Sequence, residues 1–221
     1  MEQPKNNFKI VSDKKARMIL PNAITLIGVC IGLTSIKFAL DGKFAIAIIA
    51  ILFAGLMDAL DGRIARLIKG TSKIGKELDS LGDVISFGVA PAFIMYFWNL
   101  QYLDKLGWFV CLMYVVCVAL RLARFNVNSE EESSWKDNFF EGVPAPAGGI
   151  VVLMPLVLSF SGLGEIFFKI NYDLIVPIFF VIVSMLLIST IPTYSFKKIV
   201  IPRTMTKFLL FGIVLFFGAL L

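Results

Sequence analysis

The chain has 221 residues, 58% of them hydrophobic and 21 of them phenylalanine, with a mean hydropathy of +0.85. Soluble domains sit near about 45–50% apolar, so the composition excludes a water-soluble globule and points to an integral membrane protein. The net charge of +5 does not read as nucleic-acid binding, because the basic residues cluster beside apolar runs, as on proteins that face an anionic leaflet.

Residues 1–19 are polar and basic (Lys5, Lys9, Lys14, Lys15, Arg17) and form a cytoplasmic N-terminal segment. Within it, residues 8–18 (FKIVSDKKARM) read as a short helix lying on the membrane surface. The apolar run that follows extends past any plausible cleavage site, so the segment does not read as a cleavable signal peptide. Residues 20–221 read as one integral membrane domain. Its candidate spans lie near 20–40, 43–66, 79–100, 107–126, 145–162, 174–195 and 206–221, each close to the ~20 apolar residues a crossing needs. Pro21 begins the first span, and Asp41-Gly42 makes the turn to the second. A polar run from Lys69 to Glu77 separates the second from the third. The acidic stretch 127–143, with Glu130, Glu131, Glu132 and Asp137, reads as a surface loop. The expected fold is therefore an all-α polytopic membrane protein of about seven transmembrane helices, since β-barrel segments of alternating polarity are missing.

With the N-terminus inside, seventeen Lys and Arg fall on the inner side. Only Lys37, Lys43, Lys105 and Lys169 fall outside. This asymmetry sets the orientation and puts the inner ends of spans two and three at the cytoplasmic face of the cell membrane. Cys30, Cys111 and Cys117 lie in apolar runs without CxxC spacing and read as small buried hydrophobes. The chain has no histidine, which removes Ser-His-Asp and Cys-His catalysis, histidine zinc sites, and phosphatidyl transfer through a phosphohistidine.

Against this background the run from Asp58 to Asp83 stands out. It reads D-x2-D-G-x2-A-R-x8-G-x3-D-x3-D. At about 100° per residue, Asp58 and Asp61 share one face at the end of span two, with Ala65 on the same stripe. Asp79 and Asp83 share a face at the start of span three. Carboxylates at membrane depth persist mainly where they pair, bind a cation or serve chemistry. An all-oxygen donor set favours Mg²⁺ or Mn²⁺ over zinc, with room for two ions. Gly62 and Gly75 would let a bulky ligand approach the backbone, although a packing or turn role is an equal alternative. Arg66, with Lys69, Lys73 and Lys76, could hold phosphate oxygens; the lysines also fit simple positive-inside charge. Carboxylates, metals and a basic rim together imply a nucleotide diphosphate or similar ester. One carboxylate would be left to take a proton from an attacking hydroxyl.

In residues and spacing, this run matches the signature of the CDP-alcohol phosphotransferase family without departure, and the chain resembles that family. The resemblance implies a six-helix catalytic core, commonly a homodimer, that moves a substituted phosphate from a CDP-linked donor to an alcohol and releases CMP. It implies that Asp58, Asp61 and Asp79 hold the metals, with Asp83 both ligand and catalytic base. Gly62, Ala65, Arg66 and Gly75 would surround the CDP part. The family often has a Pro-Asn start to the first span, which Pro21-Asn22 with Thr25 fits, and Asn22 would contact the nucleotide phosphates. The segments RLARFN (121–126), FEGVPAP (140–146) and LDSLGDVISFGVAPA (78–92) resemble the phosphatidylserine synthases of the family. That likeness implies CDP-diacylglycerol as donor and L-serine as acceptor, with the donor's acyl chains remaining among membrane lipids. Arg121 or Arg124 would meet the serine carboxylate and Asn126 its amino or carboxylate group; both arginines also fit as anchors that snorkel to headgroups. Choline, glycerol phosphate or an inositol phosphate would be alternative acceptors for the same chemistry. A cation transporter is a distant alternative, since the acids sit at one end of one half and no matching pair of broken helices occurs.

Overall fold

The computed structural model describes residues 14–68, 72–128, 139–141, 143–161, 171–189 and 192–194. The seventh expected span and most of the expected surface helix lie outside the described residues; residues 14–18 continue without a break into the first span.

Helix α1 (Lys14–Leu40) ends in a Schellman turn. Gly42 takes φ +72, the Lys43 N–H donates to the Phe38 carbonyl at 2.8 Å, and the Gly42 N–H donates to Ala39 at 3.0 Å. Only a residue without Cβ adopts that backbone at little cost, which is why Asp41-Gly42 reverses the chain so tightly. Lys37 pairs with Asp41 across this turn at 2.8 Å and holds the Asp41 carboxyl below its ordinary range. Helix α2 (Phe44–Leu67) then runs back along α1.

Ser72 caps α3 (Lys73–Asp83), its hydroxyl accepting from the Gly75 N–H at 2.9 Å. The chain continues without a break through a π-helical stretch (Val84–Val89) into α4 (Ala90–Trp98). Pro91 accounts for the widening. It has no N–H for the Phe87 carbonyl four residues earlier, and its ring would crowd that carbonyl in a regular helix. A short 3-10 turn (Leu100–Leu103) leads into α5 (Asp104–Asn128). There the buried Asn99 donates to Asp173 at 2.8 Å, tying the end of α4 to the start of α8 (Tyr172–Ile188).

Four helical stretches are long and apolar enough to cross a membrane: Ile19–Leu40, Phe44–Leu67, Ile74–Trp98 and Leu100–Val127. Large side chains such as Leu26, Phe109, Ile178 and Met185 are exposed along the helices. In water such a surface would drive association; in a bilayer it meets lipid. The protein is therefore an integral membrane protein with several spans. The stretch Ile74–Trp98 is 50% buried against 28–33% for the other three, so the helix carrying Asp79 and Asp83 is the central one. The core gathers behind it, with Phe87, Tyr114 and Phe180 fully enclosed.

Three local features differ from the sequence reading. The expected span 145–162 is two short helices, α6 (Ala145–Val152) and α7 (Met154–Ser161), broken at Leu153; Pro155 removes a helical donor there. The expected surface loop and the end of the sixth span instead contribute a small antiparallel ribbon, β1 (Phe139–Glu141) with β2 (Pro192–Tyr194), pairing Phe140 with Thr193. Cys111 and Cys117 are buried as expected, but Cys30 is exposed on α1, on a surface available to lipid.

A Cβ on Gly107 would collide with the Leu100 carbonyl group, whose carbon lies 2.8 Å from the ideal position. Gly107→Ala should therefore destabilise by about 1–3 kcal/mol. Gly62→Ala, where a Cβ meets nothing within 4 Å, should leave the thermal midpoint unchanged or raised. Thermal unfolding in detergent checks both.

Candidate active site

The acids meet where α1, α2 and α3 converge. Carboxylate oxygens of Asp58, Asp61 and Asp79 lie within 4.8 Å of one another. Asp61 is 3% exposed, and its Oδ2 accepts a hydrogen bond from the Thr25 hydroxyl. The same hydroxyl lies 3.1 Å from the Pro21 carbonyl. Thr25 thus holds the Asp61 carboxylate in place from α1.

Asp83 lines the same cavity, outside the set of three whose oxygens all lie within reach of one another. It neighbours Asp58 and lies in the field of the Arg121 guanidinium. Its buried Oδ1 has no hydrogen-bond partner, and neither has the buried Nε of Arg121. Buried polar atoms are normally paired, so this end of the site presents an acceptor and a donor that the protein itself does not satisfy. The cavity measures about 10 Å³, space for roughly one water-sized body. It suits an ion and is too small for a larger molecule. Gly28, Ala54 and Gly82 form its walls, and a Cβ on Gly82 would stand 3.1 Å from Val29.

The residues expected to hold CDP stand around this cavity rather than in its lining. Asn22 and Gly75 are paired across α1 and α3: a Cβ on Gly75 would lie 2.9 Å from Asn22 Oδ1 and 3.1 Å from Ser72 Oγ. A side chain at Gly75 would push the Asn22 amide aside and crowd the Ser72 cap. On α2, Ala65 is half-buried, while Gly62 and Arg66 are exposed, and Arg66 Nε donates to the Gly62 carbonyl at 3.0 Å. Open space over Gly62 beside a guanidinium provides a face where a phosphate could approach the backbone.

The three expected acceptor residues separate. Arg121 is half-buried in the field of Asp83, without an ion pair to it. Arg124 is exposed and donates from Nη1 to the Ile188 carbonyl at 2.9 Å, closing the end of α8. Asn126 donates to Ser80 Oγ at 2.9 Å, joining α5 to α3 next to Asp79.

Sequence reasoning noted Thr25 only as part of the first-span pattern, and it missed Ser86 and Phe87 as cavity-lining residues. Thr25 lies three positions after Asn22 on the same helix face, which is the signal that could have marked it. Nothing in the local pattern marks Ser86, because the π turn changes which residues face the cavity.

The chemistry of the donor set supports a hard divalent ion. Three carboxylates converge, a fourth is adjacent with an unpartnered oxygen, and the chain contains no histidine to favour zinc. Oxygen-only sites of this size suit Mg²⁺ or Mn²⁺.

Comparison with known proteins agrees with this geometry. A family model described as CDP-alcohol phosphatidyltransferase matches residues 18–200. A CDP-diacylglycerol–serine O-phosphatidyltransferase of Mycobacterium leprae is 40% identical over 186 residues, covering 83% of this chain and 61% of that protein. The protein of that name from Helicobacter pylori is 35% identical over 181 residues, 82% of this chain and 74% of the relative. An archaetidylserine synthase of Methanothermobacter thermautotrophicus is 36% identical over 152 residues, 65% of this chain and 60% of the relative. The chain thus spans about three fifths of the mycobacterial relative's length.

Thr25→Val should weaken Mn²⁺ binding by about 10–100-fold, the range for lost support behind a metal ligand, whereas Thr25→Ser should restore it. Titration of Mn²⁺ by electron paramagnetic resonance reads both.

Proposed function

We propose that this chain, which belongs to the CDP-alcohol phosphatidyltransferase family, transfers the phosphatidyl group of CDP-diacylglycerol to the hydroxyl of L-serine, giving phosphatidylserine and CMP. The observation that carries the reading is the convergence of Asp58, Asp61 and Asp79 within 4.8 Å, with Asp83 beside them and unpartnered on one oxygen. Serine as acceptor is supported by the relatives, whose names all carry serine while the lipid differs between them.

In this reading Asp58, Asp61, Asp79 and Asp83 hold Mg²⁺ or Mn²⁺, as two ions per site. Bound there, such ions neutralise the diphosphate and stabilise the departing CMP phosphate. Asp83 accepts the proton from the serine hydroxyl, whose oxygen attacks the lipid-linked phosphorus in line. The bond from that phosphorus to the CMP oxygen breaks, and no covalent enzyme intermediate is needed. Asn22, Gly62, Ala65, Arg66 and Gly75 hold the CDP part outside the ion-sized cavity. Among the acceptor candidates, Arg121 is taken for the serine carboxylate because its buried Nε has no partner among the described residues and its guanidinium lies in the field of Asp83; Arg124 and Asn126 serve by holding α5 against α8 and α3.

The excess of Lys and Arg on one side supports an active site and an N-terminus at the cytoplasmic face. Residues 1–19 would be a cytoplasmic segment and residues 20–221 a single membrane domain, working as a homodimer.

CMP release from CDP-diacylglycerol should require both serine and a divalent ion, and a chelator should abolish it. Release with choline or glycerol phosphate but not serine would overturn the acceptor assignment. Asp83→Asn should lower kcat by at least about 10²-fold, the scale of a lost general base, while CDP binding persists. Arg121→Ala should raise the serine KM by about tenfold or more, equivalent to about 1.4 kcal/mol, with little change in the KM for CDP-diacylglycerol.

A further inference from the structure

The hydroxyl of Tyr114 stands outside the acid site and is fully buried. It donates to the carbonyl of Phe87 at 2.8 Å, the carbonyl that Pro91 cannot serve as a helical donor. Phe87 belongs to the π turn that begins directly after Asp83, and both Ser86 and Phe87 line the ion-sized cavity. The turn is gripped from several sides. A Cβ on Gly32 of α1 would fall 2.6 Å from Ser86 Oγ. One on Gly149 of α6 would fall 3.0 Å from the Phe87 carbonyl oxygen, and Gly88 lies against Val118 of α5. The backbone here is therefore held in one place, and Tyr114 supplies the polar fastening from α5.

Position matters because α3 and the π turn form one continuous helical rod. Each residue added to or removed from a turn rotates what lies beyond it by about 100°. If the widened turn closed or slid, Asp79 and Asp83 would rotate away from Asp58 and Asp61, which α2 fixes independently.

We infer that Tyr114 is a positioning residue: its hydrogen bond to the Phe87 carbonyl holds the π turn that aims Asp79 and Asp83 at the acids of α2. This rests on the reading of the acids as a divalent-metal site. It concerns a residue that touches neither ion nor substrate.

Tyr114→Phe removes the hydroxyl and keeps the ring. Phe180→Leu is the control, because Phe180 stacks edge-on against Tyr114 with ring centroids 5.2 Å apart and its loss removes packing while leaving the hydroxyl in place. In detergent-solubilised full-length protein, Tyr114→Phe should weaken Mn²⁺ binding by about tenfold, read by electron paramagnetic resonance. It should also lower kcat, with the KM for CDP-diacylglycerol within about twofold of the parent. Phe180→Leu should lower the thermal midpoint yet bind Mn²⁺ like the parent. Equal Mn²⁺ affinity in Tyr114→Phe and parent would overturn the inference, as would parallel losses of affinity in the two variants. Failure of the parent itself to bind Mn²⁺ would overturn the metal reading along with it, and shows in the unmutated protein alone.

Discussion

Anions gathered within a few ångströms of each other in a low-dielectric slab repel, so a fold that assembles them must hold its helices together by other means. Here α1 carries that load. It packs against α2 along its length and also against α3, the π turn and α4. Its inward face is small or hydrogen-bonding where the acids converge: Thr25 engages Asp61, and Gly28 leaves room beside it. The acid cluster is thus a three-helix construction, and the close approach of α1 permits acids on α2 and α3 to reach a common point. A divalent ion would remove the repulsion, so site and fold are coupled through one electrostatic constraint.

That coupling explains how polar groups are distributed around the site. Most polar side chains near the acids are committed to structure: Ser72 to the start of α3, Asn126 to Ser80, Arg124 to the end of α8. Asp83 Oδ1 and Arg121 Nε are left uncommitted and buried. In a membrane protein such atoms are costly, and both belong to the polar end of the site. The ion-sized cavity lies among the acids, and Gly62 and Arg66 stand outside its lining.

Rigidity and lipid exposure also divide cleanly. The helix bearing Asp79 and Asp83 is the most enclosed, and its irregular turn is gripped by glycine contacts and one tyrosine hydroxyl. The outer faces of α1, α2 and α5 are left apolar for the bilayer. Backbone irregularity at membrane depth is tolerated where it is buried in protein, and the π turn meets that condition.

By itself the sequence determined the membrane class, the bounds of the first two spans and the presence of the next two, and the four aspartates with their pairing. These properties are periodic or compositional, so they survive in one dimension. The tertiary structure decided which three carboxylates converge, that α1 reaches the site through Thr25, and that Arg121 rather than Arg124 lies in the field of Asp83. It also decided that the fifth apolar run is two short helices and that a small ribbon joins segments about fifty residues apart. Such outcomes depend on side chains from distant segments meeting, and on how one proline, Pro91, is accommodated by a neighbouring helix. Local pattern has no access to a hydrogen bond between residues 87 and 114.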